Sequence, residues 1–181
     1  MIESRLPEWR LAIKSSIQKE GKSFSKTWIQ IATTSKDNKP RVRSVVFRGW
    51  LNADSILIYT DRRSEKIKHI DNNNDVELLW LFLKSKSQYR FKGKAYEIKD
   101  NHKFWNNLST NSKKTWFWPN PGEKLAKKIF YNSPKNLNIP ETFTVLEVRI
   151  NHVELLKLER PIHKRCSWCK QDGWECVKLN P

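Results

Sequence analysis

The sequence has no long hydrophobic stretch, and this absence narrows the class of protein. The longest uninterrupted apolar run is LLWLFL at residues 78–83, far short of the roughly 20 residues that a membrane-spanning helix needs. The first residues, MIESRLPEWR, lack the apolar segment of a secretory signal peptide. We therefore expect a soluble, cytoplasmic protein.

Cysteine is also scarce, and its placement excludes a disulfide framework. The three cysteines are Cys166, Cys169 and Cys176, and an odd, closely spaced set fits a reducing compartment. Together with His163 they could form a set of four zinc ligands that includes a Cys-x-x-Cys pair. The alternative is that they are small buried apolar side chains on two strands. We favour the alternative and predict no metal site.

Negative charge is in short supply: 19 Asp and Glu face 35 Lys and Arg, a net charge of +16. Such an excess predicts attraction to polyanions and to phosphorylated small molecules. With nine tryptophans, it would also suit a barrel that binds nucleic acid by base stacking and backbone contacts. That reading is disfavoured because the lysines are scattered over every element and most aromatic residues have core spacing.

No internal repeat, low-complexity segment or Gly/Ser-rich linker divides the chain, so we predict a single domain over residues 1–181. An N-terminal helix is predicted at about residues 7–20. Pro7 lies in its first turn, apolar residues recur at helical spacing, and Gly21 ends it.

Most of the remaining chain has the composition of strands. Apart from Glu77, the segment 76–83 is apolar and is predicted to be buried on both faces, whereas 87–98 alternates. The other predicted strands are 27–34, 41–50, 55–60, 142–150, 153–158, 165–170 and 174–179. We therefore predict a mainly β fold, an antiparallel barrel of roughly six to nine strands with a few peripheral α-helices.

Three short helices are expected outside the barrel. Ser64 is the predicted N-cap of the first. A second covers 101–109, presents Phe104, Trp105 and Leu108, and is ended by WFWPNPG at 116–122. Helical spacing resumes over 123–131, with Leu125 and Ile129 on one face.

Cations crowd the junction between the strand at 55–60 and the helix that follows it. Arg62, Arg63 and Lys66 lie there, although a helix start is already positive and bare cations cost up to about 1 kcal/mol each. A phosphate would reverse that sign, because it accepts hydrogen bonds from amides, hydroxyls and cations. The alternative is a solvated loop laced with salt bridges. On the preceding strand, Arg43 and Arg48 face opposite sides and can join one patch only through a bend or bulge.

Four motifs, in this order and at this spacing, resemble the pyridoxamine 5'-phosphate oxidase family of flavin-binding split β-barrels. They are RSVVFR at 43–48, YTDRRSEK at 59–66, QYRFKG at 88–93 and WECVKLNP at 174–181. The likeness runs from about Trp28 to the C-terminus. It implies a split barrel that binds FMN at the interface of a homodimer and acts as an oxidoreductase on a small molecule.

The resemblance also implies roles for individual residues. Ser64 and Lys66, helped by Arg63, would hold the FMN phosphate, and Gln88 would reach the flavin from the partner subunit. Arg48 and His163 would lie on the substrate side. The implied cofactor-binding residues are Arg43, Ser44, Val45, Val46, Phe47, Arg48, Tyr59, Thr60, Arg63, Ser64, Lys66, Gln88 and Arg165.

The chain departs from the true oxidases of that family where they hold pyridoxal phosphate. Pro161 stands in place of an arginine, Phe104 and Leu108 in place of a tyrosine and an arginine, and Leu156 in place of a tryptophan that contacts flavin. The chain thus resembles a related subgroup of undefined function. A protein that binds FMN without turnover is the alternative within this fold. The loop at 116–122 could stack on flavin or on an aromatic substrate, or could be ordinary core and turn packing.

Overall fold

Eight antiparallel strands form the framework of the protein, and the computed structural model describes residues 6–125 and 135–181. The strands are β1 Trp28–Thr34, β2 Pro40–Trp50, β3 Ser55–Asp61, β4 Asp75–Phe82, β5 Ser87–Glu97, β6 Phe143–Lys157, β7 Lys164–Cys169 and β8 Cys176–Leu179. The α-helices are α1 Glu8–Glu20, α2 Glu65–Asn72, α3 His102–Asn106 and α4 Thr110–Lys114. Most of the helix predicted over 123–131, including Ile129, lies outside the described residues.

Six of the strands close into a barrel because β6 uses both of its edges. The strand order is β3-β2-β1-β4-β5-β6, and β3 also pairs with β6. The first half of β6 pairs with β3, while its second half, from His152 onward, pairs with β7 along the same edge. β5 occupies the other edge. The strands β7 and β8 therefore extend from the barrel, which confirms the predicted split antiparallel barrel.

The barrel interior is filled by large aromatic side chains, and α1 covers its end. Trp9 of α1 is fully buried, with its ring centroid 6.1 Å from that of Phe91 and 5.5 Å from that of Trp174. Ser16, also on α1, shares a 3.1 Å hydrogen bond with the Tyr89 hydroxyl. A smaller apolar cluster, called here the α3 cluster, lies under α3 and consists of Leu57, Phe104, Trp105, Phe143 and Val145.

Two predictions about the strands are wrong. The strand at 76–83 was expected to be buried on both faces, but β4 alternates: Trp80 is fully buried and Leu81 is 45% exposed. The strands expected at 142–150 and 153–158 are one strand, β6. The register passes from Lys92 opposite His152 to Gly93 opposite Ile150, so Asn151 is a bulge residue and not a turn.

The helix predicted over 101–109 is shorter in the structure. It is present as α3 and is followed by α4, which begins after Ser109. Phe104 and Trp105 are buried as expected.

In residues 6–125 and 135–181, no helix is long and apolar enough to cross a membrane.

Substitution of Gly93 tests the close approach of β5 to β6 at the bulge. A Cβ at this position would lie 2.1 Å from the Arg149 carbonyl oxygen, so Gly93→Ala must displace a strand. We expect the free energy of unfolding to fall by at least about 2 kcal/mol, measured by urea denaturation with tryptophan fluorescence. The neighbouring Lys94→Ala removes an exposed ion pair with Asp75 and should leave the free energy of unfolding nearly unchanged. Equal stability of the two variants would contradict the close approach.

Candidate functional site

A cleft rich in cations opens where the start of α2 faces β2 and the loop at 116–122. Its volume is about 440 Å³. We call it the cationic cleft. The residues that line it are Arg43, Arg63, Ser64, Glu65, Lys66, Lys68, Pro121, Gly122 and Glu123. The structure therefore brings together the three residues implied to hold the phosphate, Arg63, Ser64 and Lys66, and adds Arg43 to them.

Lys66 organises the floor of this cleft. Its Nζ donates to Thr60 Oγ1 and to Ser64 Oγ, both at 2.8 Å, and Ser64 Oγ donates in turn to the Asp61 carbonyl at 2.7 Å. Ser64 occupies the N-cap position of α2 as predicted, but its side chain caps no amide of the helix. The α2 amides are therefore left without the side-chain acceptor that an N-cap serine usually supplies.

Arg43 brings a second cation to the same cleft from β2. Burial lowers the pKa of Arg43, although the charge of Glu65 opposes this effect. The pKa of Lys66 is lowered by burial and, secondarily, by Arg43. Arg43, Lys66 and Lys68 form no ion pair with any residue that the structure describes. Partly desolvated cations without a counter-ion favour a bound anion.

Arg63 also lines the cleft, but its guanidinium is already engaged. Nε and Nη2 donate to the two Asp61 carboxylate oxygens at 3.0 and 2.6 Å, and this contact raises the pKa of Arg63. Nη1 donates to Asn120 Oδ1 at 2.6 Å and Nη2 to the Trp118 carbonyl at 3.0 Å. Arg63 thus fastens the loop at 116–122 as a wall of the cleft.

Two of the three aromatic residues in that loop are packed as core. The Trp116 ring lies 4.9 Å from Phe143, and the Phe117 ring lies 6.4 Å from Trp105. Trp118 is 51% exposed. Of the two readings of this loop, core packing therefore accounts for Trp116 and Phe117.

The β2 segment 44–48 divides between the barrel interior and its outer surface. Val45 is buried, and the Phe47 ring lies 4.7 Å from Trp80, so these two side chains face inward. Ser44 and Arg48 are exposed. A ligand on the outer surface could thus reach Val45 and Phe47 only through their backbone.

A bulge brings Arg48 next to Tyr59. The pairing of β2 with β3 shifts between Phe47 and Gly49, so β2 has a bulge at Arg48. The Arg48 guanidinium lies 5.6 Å from the centre of the Tyr59 ring. Burial raises the pKa of Tyr59, while Arg48 opposes that shift. Tyr59 and Thr60 thus lie beside both the bulge and the cationic cleft.

The remaining implied cofactor residues lie in a second, smaller cleft. It measures about 180 Å³ and is lined by Gln88, Arg90, Glu154, Leu156 and Arg165; we call it the Gln88 cleft. Nη2 of Arg90 and Nη2 of Arg165 each lie 2.7 Å from Glu154 Oε2. Burial tends to raise the pKa of Glu154, but the hydrogen bonds from Arg165 and Arg90 lower it overall. Within the described residues, no side chain lines both clefts.

His163 lies in the turn between β6 and β7, apart from Arg48. Its Nδ1 donates to the Glu159 carbonyl at 3.0 Å. Glu159 in turn binds Lys157 and Lys164, and these contacts lower the pKa of Glu159 to about 2. Among the described residues, no hydrogen bond joins Arg48 and His163.

The cysteine segment shows no metal-binding arrangement. Cys166 and Cys169 are half-buried on β7, and Cys176 is exposed on β8. Across residues 6–125 and 135–181, no group of three or more His, Cys, Asp or Glu side chains is placed to hold a metal ion.

Sequence reasoning missed three residues that organise the clefts: Thr33, Asp61 and Glu154. Thr33 accepts a 2.6 Å hydrogen bond from Arg43. Asp61 holds Arg63, and Glu154 gathers two arginines. Only Asp61 carried a local signal, because it lies within the YTDRRSEK motif. Thr33 and Glu154 act across strands, and no local sequence pattern marks them.

Comparisons with known proteins agree on one family. The sequence profile described as "Pyridoxamine 5'-phosphate oxidase, FMN-binding domain" matches residues 6–99. The pyridoxine/pyridoxamine 5'-phosphate oxidase 2 of Arabidopsis thaliana is 28% identical over 193 aligned positions, covering 96% of each chain.

Two solved structures share the fold. A pyridoxamine 5'-phosphate oxidase-related, FMN-binding protein from Nostoc punctiforme is 27% identical with a TM-score of 0.86, covering 98% of this chain and 100% of that one. PhzG from Burkholderia lata, solved with tetrahydrophenazine-1-carboxylic acid, is 13% identical with a TM-score of 0.80, covering 99% and 95%. At that identity, PhzG shows likeness of fold alone.

The attachment of the loop by Arg63 can be tested through Asp61. In Asp61→Asn the guanidinium loses its carboxylate partner, so the segment 116–123 should open more often. We expect its amide hydrogen exchange, followed by mass spectrometry, to accelerate about fivefold, as befits a partly exposed ion pair worth about 1 kcal/mol. Asp71→Asn, at an exposed position of α2, should leave that exchange unchanged. Unaltered exchange in Asp61→Asn would show that other contacts hold the loop.

Proposed function

Because the chain belongs to the pyridoxamine 5'-phosphate oxidase, FMN-binding domain family, whose cofactor is FMN, we propose that it is a homodimeric flavoprotein that oxidises or reduces a small molecule. The observation that carries this proposal is the cationic cleft, in which Arg43 and Lys66 lie together and form no ion pair with any residue that the structure describes. A phosphate monoester carries close to two negative charges at neutral pH and matches such a site.

The side chains around the cleft suit the FMN phosphate. Lys66 supplies an ammonium that is already held in place by Thr60 and Ser64. Arg43 adds a guanidinium, which can bind a phosphate through two parallel hydrogen bonds. The uncapped start of α2 offers backbone amides and the positive end of the helix dipole. Each contact strengthens in the partly desolvated cleft.

The outer face of the sheet supports assembly into a dimer. Strand pairing sets Leu81, Gln88, Leu156, Arg165 and Leu179 in one continuous row across β4 to β8. Leu81 and Leu179 are 45% and 39% exposed in the single chain, and Val177 in the neighbouring row is 53% exposed. Exposed apolar side chains around polar ones are typical of an interface. In the proposed dimer, the Gln88 cleft of each subunit completes the cationic cleft of its partner.

FMN, when bound, supplies the electron-transfer chemistry through its ring, and the chain supplies binding, orientation and proton handling. Ser44 and Arg48, exposed on the outer side of β2, would border the ring, with Arg48 kept in place by the bulge and by Tyr59. The Nδ1–H group of His163 donates a hydrogen bond to the Glu159 carbonyl. In the neutral imidazole, Nε2 is then an acceptor available to a substrate proton.

We propose a substrate other than a vitamin B6 phosphate. The residues that stand where the true oxidases hold their substrate phosphate are Phe104, which is 6% exposed in the α3 cluster, and Leu108, which packs against it. They provide neither charge nor hydrogen bonds. Each missing charge-assisted contact would cost about 1.5–3 kcal/mol of binding free energy.

Comparing the binding of FMN with that of riboflavin, which lacks the phosphate, distinguishes the contribution of the cationic cleft from that of the rest of the site. We expect the purified protein to be yellow and to bind FMN more tightly than riboflavin. Lys66→Ala should weaken FMN binding at least about tenfold and leave riboflavin binding unchanged, as measured by quenching of flavin fluorescence. Lys14→Ala, exposed on α1, is the matched control.

Two results would count against this proposal. An equal loss of affinity for both flavins in Lys66→Ala would mean that the phosphate lies elsewhere. A colourless protein that ignores added FMN but retains single-stranded nucleic acid in a salt-dependent way would favour the nucleic-acid alternative.

Mixed dimers test whether each site is built from two subunits. Lys66→Ala and Arg165→Ala are co-expressed with different affinity tags, and the mixed dimer is isolated. If the sites are shared, one site carries both substitutions and the other carries neither, so FMN should bind tightly at half of the sites. Each parent homodimer should bind weakly at both sites. Weak binding at both sites of the mixed dimer would place Lys66 and Arg165 in the same-chain site.

A further inference from the structure

Three polar side chains from three elements are connected in series behind the cationic cleft. His69 lies on α2, Thr33 on β1 and Arg43 on β2. His69 Nδ1 lies 3.0 Å from Thr33 Oγ1, and Arg43 Nη1 lies 2.6 Å from the same oxygen. Thr33 is only 3% exposed, so its hydroxyl depends on protein partners.

Counting the protons fixes the direction of these hydrogen bonds. An arginine can only donate, so Arg43 donates to Thr33 and the threonine oxygen accepts. The hydroxyl retains one proton to give, and among the described residues its other partner is His69 Nδ1. A buried hydroxyl proton without an acceptor is costly. His69 therefore accepts at Nδ1 and carries its own proton on Nε2.

The hydrogen bonds that join Arg43, Thr33 and His69 determine which donors of Arg43 remain for the cleft. Nη1 has two hydrogens, and they go to Thr33 and to the Arg41 carbonyl, the latter at 3.0 Å. Nε and Nη2 donate to no described residue, and Arg43 lines the cleft. Repulsion from Lys66 would otherwise turn the guanidinium away, because the two cations are close enough for Arg43 to act on Lys66.

We propose that Thr33 and His69 are positioning residues that hold the Arg43 guanidinium with its remaining donors directed at the FMN phosphate. This inference rests on the proposed function, since it assigns a task to residues behind the same site. Neither residue needs to touch the cofactor. Their contribution is the orientation of a charge that would otherwise be mobile and repelled.

The first test compares Thr33→Val, which keeps the shape of the side chain but removes the hydroxyl, with Thr33→Ser, which restores it. Thr33→Val should weaken FMN binding about fivefold to tenfold without changing riboflavin binding, and Thr33→Ser should bind FMN nearly as the original chain does. Thr34→Val, the adjacent position on β1, is the control and should change neither affinity.

The second test asks whether Thr33 acts through Arg43. In an Arg43→Ala background, Thr33→Val should cause no further loss of FMN affinity, because the group that it positions is absent. An additive loss would assign Thr33 a separate role and overturn the inference. The same cycle is run with His69→Leu, which removes the acceptor, and with His69→Asn, whose side-chain oxygen can replace Nδ1. This second cycle decides the question if Thr33→Val does not fold.

The outcomes separate this inference from the proposed function. If the original chain binds FMN no better than riboflavin, the phosphate site itself is wrong. If it prefers FMN but Thr33→Val and His69→Leu keep that preference in full, the positioning role is wrong and the phosphate site stands. Selective loss of the FMN preference, with rescue by Thr33→Ser and His69→Asn, supports both.

Discussion

The architecture depends on the sharing of β6 among three neighbours. A strand has two edges, and β5 occupies one of them along almost the whole of β6, so β3 and β7 must divide the other. The division closes the barrel with the first half of β6 and carries the sheet outward with the second half. The bulge at Asn151 falls at this change of partner, where the extra residue increases the local twist and redirects the strand.

This sharing also separates the two clefts. Arg43 and Lys66 belong to elements near the closed part of the barrel, whereas Gln88 and Arg165 lie on the row that continues onto β7. In the first cleft Arg43 and Lys66 form no ion pair with any described residue, and in the second two arginines converge on one carboxylate. Arg43 and Lys66 can therefore pair with an added anion, whereas the two arginines of the second cleft already share Glu154. Only the first cleft is a strong reason to expect an anion.

The sequence predicted what depends on local periodicity. Strand alternation is explicit in SQYRFKGKAYE, and β5 alternates in burial as expected. The strands predicted at 27–34, 41–50 and 55–60 likewise correspond to β1, β2 and β3. Contacts between distant parts of the chain were not predictable in the same way, because Arg63 and Asn120 are 57 residues apart and carry no shared pattern. The prediction that divided β6 into two strands was wrong for a related reason. A bulge and a turn have similar polar residues, and only the partner strand distinguishes them.

The sequence motifs predicted one part of the cationic cleft better than the other. The segment from Tyr59 to Lys66 assembles locally, since Lys66, Thr60 and Ser64 are bonded within one strand end and one helix start. Its neighbour Arg43 is placed by Thr33, 10 residues earlier in the chain, which the motif could not reveal.

The sheet ends at β8, a strand of only four residues, all of them exposed. So short an outer strand could exchange few backbone hydrogen bonds with another molecule, and Lys178 on it discourages stacking of copies. Edge-to-edge polymerisation, a common hazard for open sheets, is thereby suppressed. Any stable association of such chains would have to rely on side-chain faces of the sheet instead.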